Sequence, residues 1–269
     1  MTDPLLPEVV AGREAAVSVN AAAGIGRITL DRPELMNAVN VELGVELERA
    51  ILVLGSDPMI HVIVIRGAGG NFCAGGDFAE VERLRADGPA ALRTLFVAFR
   101  RACDAIAAID VPVVAAVEGV AAAGGFELMQ AADVVLVSDD ARISDNHIRF
   151  GMIPGGGSTQ RLPRLIGRQR AMGVLLSGDR LSGVDAVRLG LAYRSFPRDR
   201  FDDEIELFVS AMADRDRGAL TAIKHLVTSG LGLPVAAGLD DEITAVVRHI
   251  SEGAGRNGAS AFSERGGTR

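Results

Sequence analysis

The stretch from Val111 to Leu128, VPVVAAVEGVAAAGGFEL, limits this chain more than any other. It opens on an apolar run, Val113-Val114-Ala115-Ala116-Val117, which reads as a short buried strand behind Pro112. It passes Gly119 and a patch of small residues, reaches Gly124-Gly125, and enters at once a helical pattern that carries Glu127. A strand turning on glycine into a helix leaves the first N–H groups of that helix unpaired, at the positive end of its dipole. With no side chains at the turn, a ligand can approach bare backbone. An acid one turn inside the helix can face the same space.

A second stretch repeats the device. His61 to Arg66, HVIVIR, reads as another buried strand. Gly67-Ala68-Gly69-Gly70 follows, then Asn71-Phe72-Cys73-Ala74-Gly75-Gly76-Asp77. Either turn alone is ordinary in an α/β protein. Two turns offering N–H groups to one point would make a site for a negatively charged oxygen.

Taken together, the two stretches resemble the enoyl-CoA hydratase/isomerase (crotonase) superfamily. FCAGGDF is followed about 40 residues later by PVVAAVEGVAAAGGFEL. Further similar segments are IGRITLDRPELMNAVN at 25–40, GMIPGGGSTQRLPRLIG at 151–167, LLSGDRLSGVDAVRLGLAYRSF at 175–196 and ASAFSER at 259–265. The resemblance implies an α/β spiral of repeated strand-turn-helix units and a C-terminal helical region that packs trimers. It implies acyl-CoA chemistry through a thioester enolate, with CoA entering as part of the substrate and no separate cofactor.

The same resemblance assigns residues. Ala74 and Gly124 become the backbone donors to the thioester oxygen. Ala74, Gly75, Gly76 and Asp77 hold CoA through their backbone, with Ala38 near its thiol end. Glu127 falls on the first of two catalytic carboxylates. The second position, seven residues before Ile153-Pro154, is His147, where the hydratases of the family carry an acid. Enoyl-CoA hydration is the leading reaction the resemblance implies; this departure keeps double-bond isomerisation, decarboxylation, hydrolysis, or CoA-thioester binding without chemistry as alternatives. A histidine at the second position can exchange protons near neutral pH. The plainer reading is a loop histidine bonded to Asp145 or solvent. If His147 replaces the acid, His147→Glu should raise hydration.

Composition narrows the partners. The net charge is −7 and there is no basic cluster, which argues against nucleic acid. No apolar run approaches the length of a membrane span, and the N-terminus shows no signal peptide, so a cytoplasmic location is expected. Cys73 and Cys103 make neither a metal spacing nor a disulfide framework. Cys103 sits on a helical apolar stripe with Leu92, Leu95, Phe96, Phe99, Ile106 and Ile109, so it reads as core. Lys224, the only lysine, reads as a solvated surface residue, or else as one reaching a CoA phosphate.

Strand, turn and helix signals alternate to about residue 200, and from Phe201 only helical patterns appear. The chain is therefore read as a core at 1–200 and a helical oligomerisation region at 201–269, not folding separately. A homotrimer, or a hexamer made as a dimer of trimers, is expected. Within the core, a helix is expected over Asn37–Leu54, and Ser158 is expected to cap a helix running to Ile166.

Overall fold

The computed structural model describes residues 15–252. The expectations for residues 1–14 and for ASAFSER at 259–265 lie outside them. A hairpin of β1 (Val17–Ala22) and β2 (Ile25–Leu30) leads into α1 (Val41–Ser56) and β3 (Val62–Gly67). Next come α2 (Phe78–Ala86), α3 (Pro89–Ala108), β4 (Val113–Val117), β5 (Val120–Ala122) and α4 (Gly124–Ala131). Then follow β6 (Val134–Ser138), β7 (Arg142–Ser144), α5 (Ser158–Ile166), α6 (Arg168–Ser177), α7 (Gly183–Leu189) and β8 (Arg194–Phe196). Three helices close the described chain: α8 (Phe201–Ala213), α9 (Arg217–Gly230) and α10 (Val235–Ser251).

The main sheet has the order β1-β2-β3-β4-β6-β8. Only the β1–β2 pair is antiparallel; the other pairs run parallel. Such a sheet is buried on both faces, and its strands alternate accordingly. Ile63, Ile65, Val113, Ala115 and Val117 face one core with α1 and α3. Val62, Val64, Val114 and Ala116 face a second core, closed by Phe201, Ile205 and Val209 of α8. Each fully buried Val or Ile contributes roughly 1.5–3 kcal/mol, so the continuous apolar runs of β3 and β4 suit no half-exposed strand. The boundary expected near residue 200 thus falls inside a packed layer. Of the described helices after residue 200, α8 packs on the sheet, α9 is tied to the core through Lys224, and α10 has no buried residue.

Three local expectations are corrected. The first helix starts at Val41, capped by the side chain of Asn40, which accepts from the Leu43 N–H. Asn37 lies outside it in a left-handed conformation, φ 58°, which asparagine tolerates better than most residues. Its fully buried side chain accepts from the Arg32 N–H and donates to the Ala68 and Asn71 carbonyls, tying three loops together. The small residues after Gly119 form β5, which pairs in parallel with β7 in a separate two-stranded sheet. Ser158 is the first residue of α5 rather than its cap, and its hydroxyl accepts from Gln130 Nε2.

Candidate active site

The two glycine turns meet. The loop at 72–74 lies along β5: the Phe72 and Cys73 N–H groups donate to the Glu118 and Val120 carbonyls, and the Ala122 N–H returns to the Cys73 carbonyl. On its other side the Ala74 N–H donates to the Met36 carbonyl at 2.9 Å, and the Val39 N–H to Gly75 at 2.7 Å. The fit excludes side chains. A Cβ at Gly125 would lie 2.0 Å from the Cys73 carbonyl oxygen, and one at Gly75 would lie 2.8 Å from the Ala123 Cβ.

This packing corrects one donor. The Ala74 N–H is already spent on Met36, so it is not open to a ligand. Among the described residues the N–H groups of Gly76 and Gly124 have no acceptor, and both residues line one cavity. The free Gly76 N–H lies in the turn the motif pointed to, two residues later than the motif suggested. The carbonyl partner that decides the matter comes from residue 36, a contact no spacing reveals.

Glu127, 2 % exposed, sits in the first turn of α4. Its Oε1 accepts from the N–H groups of Gly156 (2.7 Å) and Ser158 (3.1 Å). The other oxygen, Oε2, faces the cavity, 4.0 Å from His147 Nε2. Burial raises the Glu127 pKa; the Ser158 and Gly156 N–H groups and His147 oppose it without cancelling it. Sequence reading missed Gly156 and Ser158 as partners of Glu127. The run Pro154-Gly155-Gly156-Gly157 reads as a helix entry, and its second use appears only when α4 and α5 pack together.

His147 opens a 3-10 turn, His147–Phe150, after β7. It is not solvated: its side chain is 12 % exposed. Nδ1 lies 2.6 Å from Asp145 Oδ1, and Nε2 looks toward Glu127. Burial alone lowers the imidazole pKa, but the Asp145 hydrogen bond and the charges of Asp145 and Glu127 outweigh it and leave it raised. The structure therefore brings Glu127, His147, Gly76 and Gly124 to one place.

The remaining predicted residues serve the frame. Asp77 caps α2 by accepting from the Ala79 and Glu80 N–H groups, and pairs with Arg32 at 2.9 Å. Its burial raises the pKa, but Arg32 and the two N–H groups prevail and lower it. The Ala38 carbonyl accepts from Arg32 Nη1 at 2.5 Å. Cys73 is a free, buried thiol pushed up to about 12 by burial, which removes it as a nucleophile at neutral pH. Cys103 is likewise core, pushed up to about 12.

Lys224 is neither solvated nor directed at a ligand. Its side chain is 5 % exposed, 2.8 Å from Asp133 Oδ2, and donates to the Ile106 and Val111 carbonyls. Phe96, expected in the core, is 41 % exposed and lines the cavity instead. The cavity, about 110 Å³, is otherwise walled mainly by Val39, Phe78, Leu95, Phe99, Phe150 and Met152. It offers an apolar chamber with two bare N–H groups and one carboxylate–imidazole pair.

A parallel sheet whose strand-end glycine turns converge over a buried acid defines the crotonase class of acyl-CoA enzymes, and solved structures agree. The chain superposes on the enoyl-CoA hydratase of Bacillus anthracis with a TM-score of 0.88 at 28% identity, covering 93% of this chain and 96% of that one. An enoyl-CoA hydratase from Polaromonas sp. JS666 gives 0.88 at 28%, covering 93% and 97%. In sequence, the mitochondrial enoyl-CoA hydratase of Pongo abelii is 30% identical over 241 residues, 90% of this chain and 81% of that protein. A Rhodobacter capsulatus protein named as a probable enoyl-CoA hydratase is 33% identical over 242 residues, 90% and 92% of the two chains. Residues 20–269 match the enoyl-CoA hydratase/isomerase family model. The chain belongs to the enoyl-CoA hydratase/isomerase family and is an enzyme of it.

Proposed function

We propose that the chain adds water across the double bond of a 2-enoyl-CoA thioester. The observation that carries this reading is the 4.0 Å gap between Glu127 Oε2 and His147 Nε2. It is too wide for a direct hydrogen bond and within the reach of one water bonded to both at about 2.8 Å. The N–H groups of Gly76 and Gly124 act as the oxyanion donors that hold the thioester oxygen as charge grows on it; one such donor is worth about 3 kcal/mol. One member of the pair takes a proton from water as its oxygen bonds to the β-carbon. The other delivers a proton to the α-carbon of the enolate. Backbone of the Ala74–Asp77 turn and Ala38 border the path to CoA, which enters as part of the substrate. The apolar chamber takes the acyl chain.

No described helix is long and apolar enough to cross a membrane. Two free buried thiols suit a reducing compartment such as the cytoplasm. A homotrimer, or a dimer of trimers, is the assembly proposed.

The test is a panel of saturated and unsaturated acyl-CoAs, assayed for water addition and for double-bond migration. Hydration of a 2-enoyl thioester is expected. Glu127→Gln should abolish it and leave CoA-thioester binding nearly intact. Migration without hydration, or equal turnover in the Gln variant, sinks the reading.

A further inference from the structure

We propose that Asp145 is a positioning residue: its carboxylate holds the Nδ1–H of His147, so that Nε2 is the ring nitrogen that exchanges protons across the cavity with Glu127. This rests on the reading of Glu127 and His147 as the acid/base pair.

The geometry is specific. Asp145 is 1 % exposed and its Oδ1 is 2.6 Å from Nδ1, a short, charge-assisted contact. Its Oδ2 has no hydrogen-bond partner among the described residues. A buried carboxylate stabilises a fold when donors surround it; one left half-satisfied is costly. This one directs its only side-chain hydrogen bond among the described residues at a ring that faces a cavity. The backbone beneath it is fixed as well. The Met152 N–H donates to the His147 carbonyl and the Arg149 N–H to that of Asn146, which pins the backbone from which the ring projects.

The consequence is a tautomer. A neutral imidazole carries one N–H, and the bond made by one nitrogen decides which. With Nδ1–H committed to Asp145, the lone pair sits on Nε2, toward Glu127 Oε2. Few other charges face this ring. Glu127 comes from α4. On α5, Arg161 lies behind the Gly156 carbonyl, to which it donates, and pairs with the exposed Asp104 of α3. Cys103 of α3 stays a neutral thiol. The Asp145 charge is therefore the main one that favours a proton on the ring from outside the pair.

Selective ¹⁵N labelling of histidine tests this without an activity assay. The chain has four histidines, and His147→Gln assigns the signal. In the wild type, Nδ1 should stay protonated throughout while Nε2 titrates; the opposite tautomer overturns the proposal. Asp145→Asn should lower the titration midpoint of His147 by about one unit or more. It should reduce kcat at least tenfold with KM changed less than twofold. An unchanged midpoint refutes the role. Added to His147→Gln, Asp145→Asn should cost no further turnover; an additive loss would mean that Asp145 merely supports the fold. If Asp145→Asn does not fold, the wild-type spectrum still decides. Failure of the hydration reading shows in the acyl-CoA panel and leaves the tautomer result standing.

Discussion

The N–H of Ala123 donates to the carbonyl of Ser144 at 3.0 Å. That bond joins the turn that presents Gly124 to the arm that carries Asp145 and His147. The Gly124 N–H and the Glu127–His147 pair thus hang from one pairing, β5 against β7, rather than from two independent loops. Ala123 holds its place under strain. Its backbone lies at φ 46°, ψ −113°, a region suited to glycine. Strain at such a position amounts to about 1–3 kcal/mol.

Ala123→Gly should therefore stabilise the protein. Relief of the strain outweighs the roughly 0.5–1 kcal/mol of chain entropy that a glycine adds to the unfolded state. Thermal denaturation should show a midpoint higher by about 2–4 °C. The freed turn should hold the Gly124 N–H less firmly, so turnover falls modestly at unchanged KM. A lower midpoint would mean that the alanine is not strained.

The fold was legible because its strands are continuous apolar runs and its glycine turns are closely spaced; residues such as Val113–Val117 leave little choice. The candidate site was legible as far as the family resemblance and the glycine turns reach. Glu127 and His147 were pointed to by the family resemblance, and both line the cavity. Spacing could not show that Met36 occupies the Ala74 N–H, that Gly156 and Ser158 grip Glu127, or that Phe96 turns from the core into the chamber. Each depends on packing between distant segments. Lys224 fails for the same reason: a lone lysine reads as surface until Asp133 and two carbonyls are seen around it.

Lys224 anchors α9 to the end of α3 and to the segments that lead into β4 and β6. Lys224→Met removes one partner of a buried ion pair and leaves Asp133 uncompensated, which costs roughly 3–5 kcal/mol. Denaturant unfolding should show this loss near neutral pH. Burial already raises the Asp133 pKa against the pull of Lys224, and without the lysine it rises further. A folded pKa above the unfolded one means that the penalty is absent below the unfolded pKa, grows as pH rises toward the folded pKa, and is full above it. The Met variant should thus approach wild-type stability in acid. A pH-independent deficit would show that lost packing, not charge, is responsible.

The outer helices call for a second copy. Val235, Leu239, Ile243, Val247 and Ile250 of α10 are all exposed, as are Ile223 and Val227 of α9, and no residue of α10 is buried in the single chain. An apolar stripe of this extent is rarely left in water. Light scattering at micromolar concentration should give three or six chain masses. A monomer would contradict the proposed assembly.

The last prediction concerns the pair itself. Two groups 4.0 Å apart titrate as a unit, and the form that holds one proton carries both an acid and a base, whichever group holds it. The pH–rate profile should be a bell. Its alkaline limb marks loss of the second proton. Because the His147 pKa is raised, that limb should lie above about 6.5, the free imidazole value. His147→Gln should remove the limb and most of the activity. Position alone suggests that His147→Glu would increase hydration by supplying the second acid. The structure says otherwise: Asp145, 2.6 Å from the ring, would then face a carboxylate, and three buried acids would crowd one wall. Like charges at that distance disfavour ionisation. His147→Glu alone should lose activity, and His147→Glu combined with Asp145→Asn should recover it. If the single variant hydrates better than the double, Asp145 does not face this position in solution.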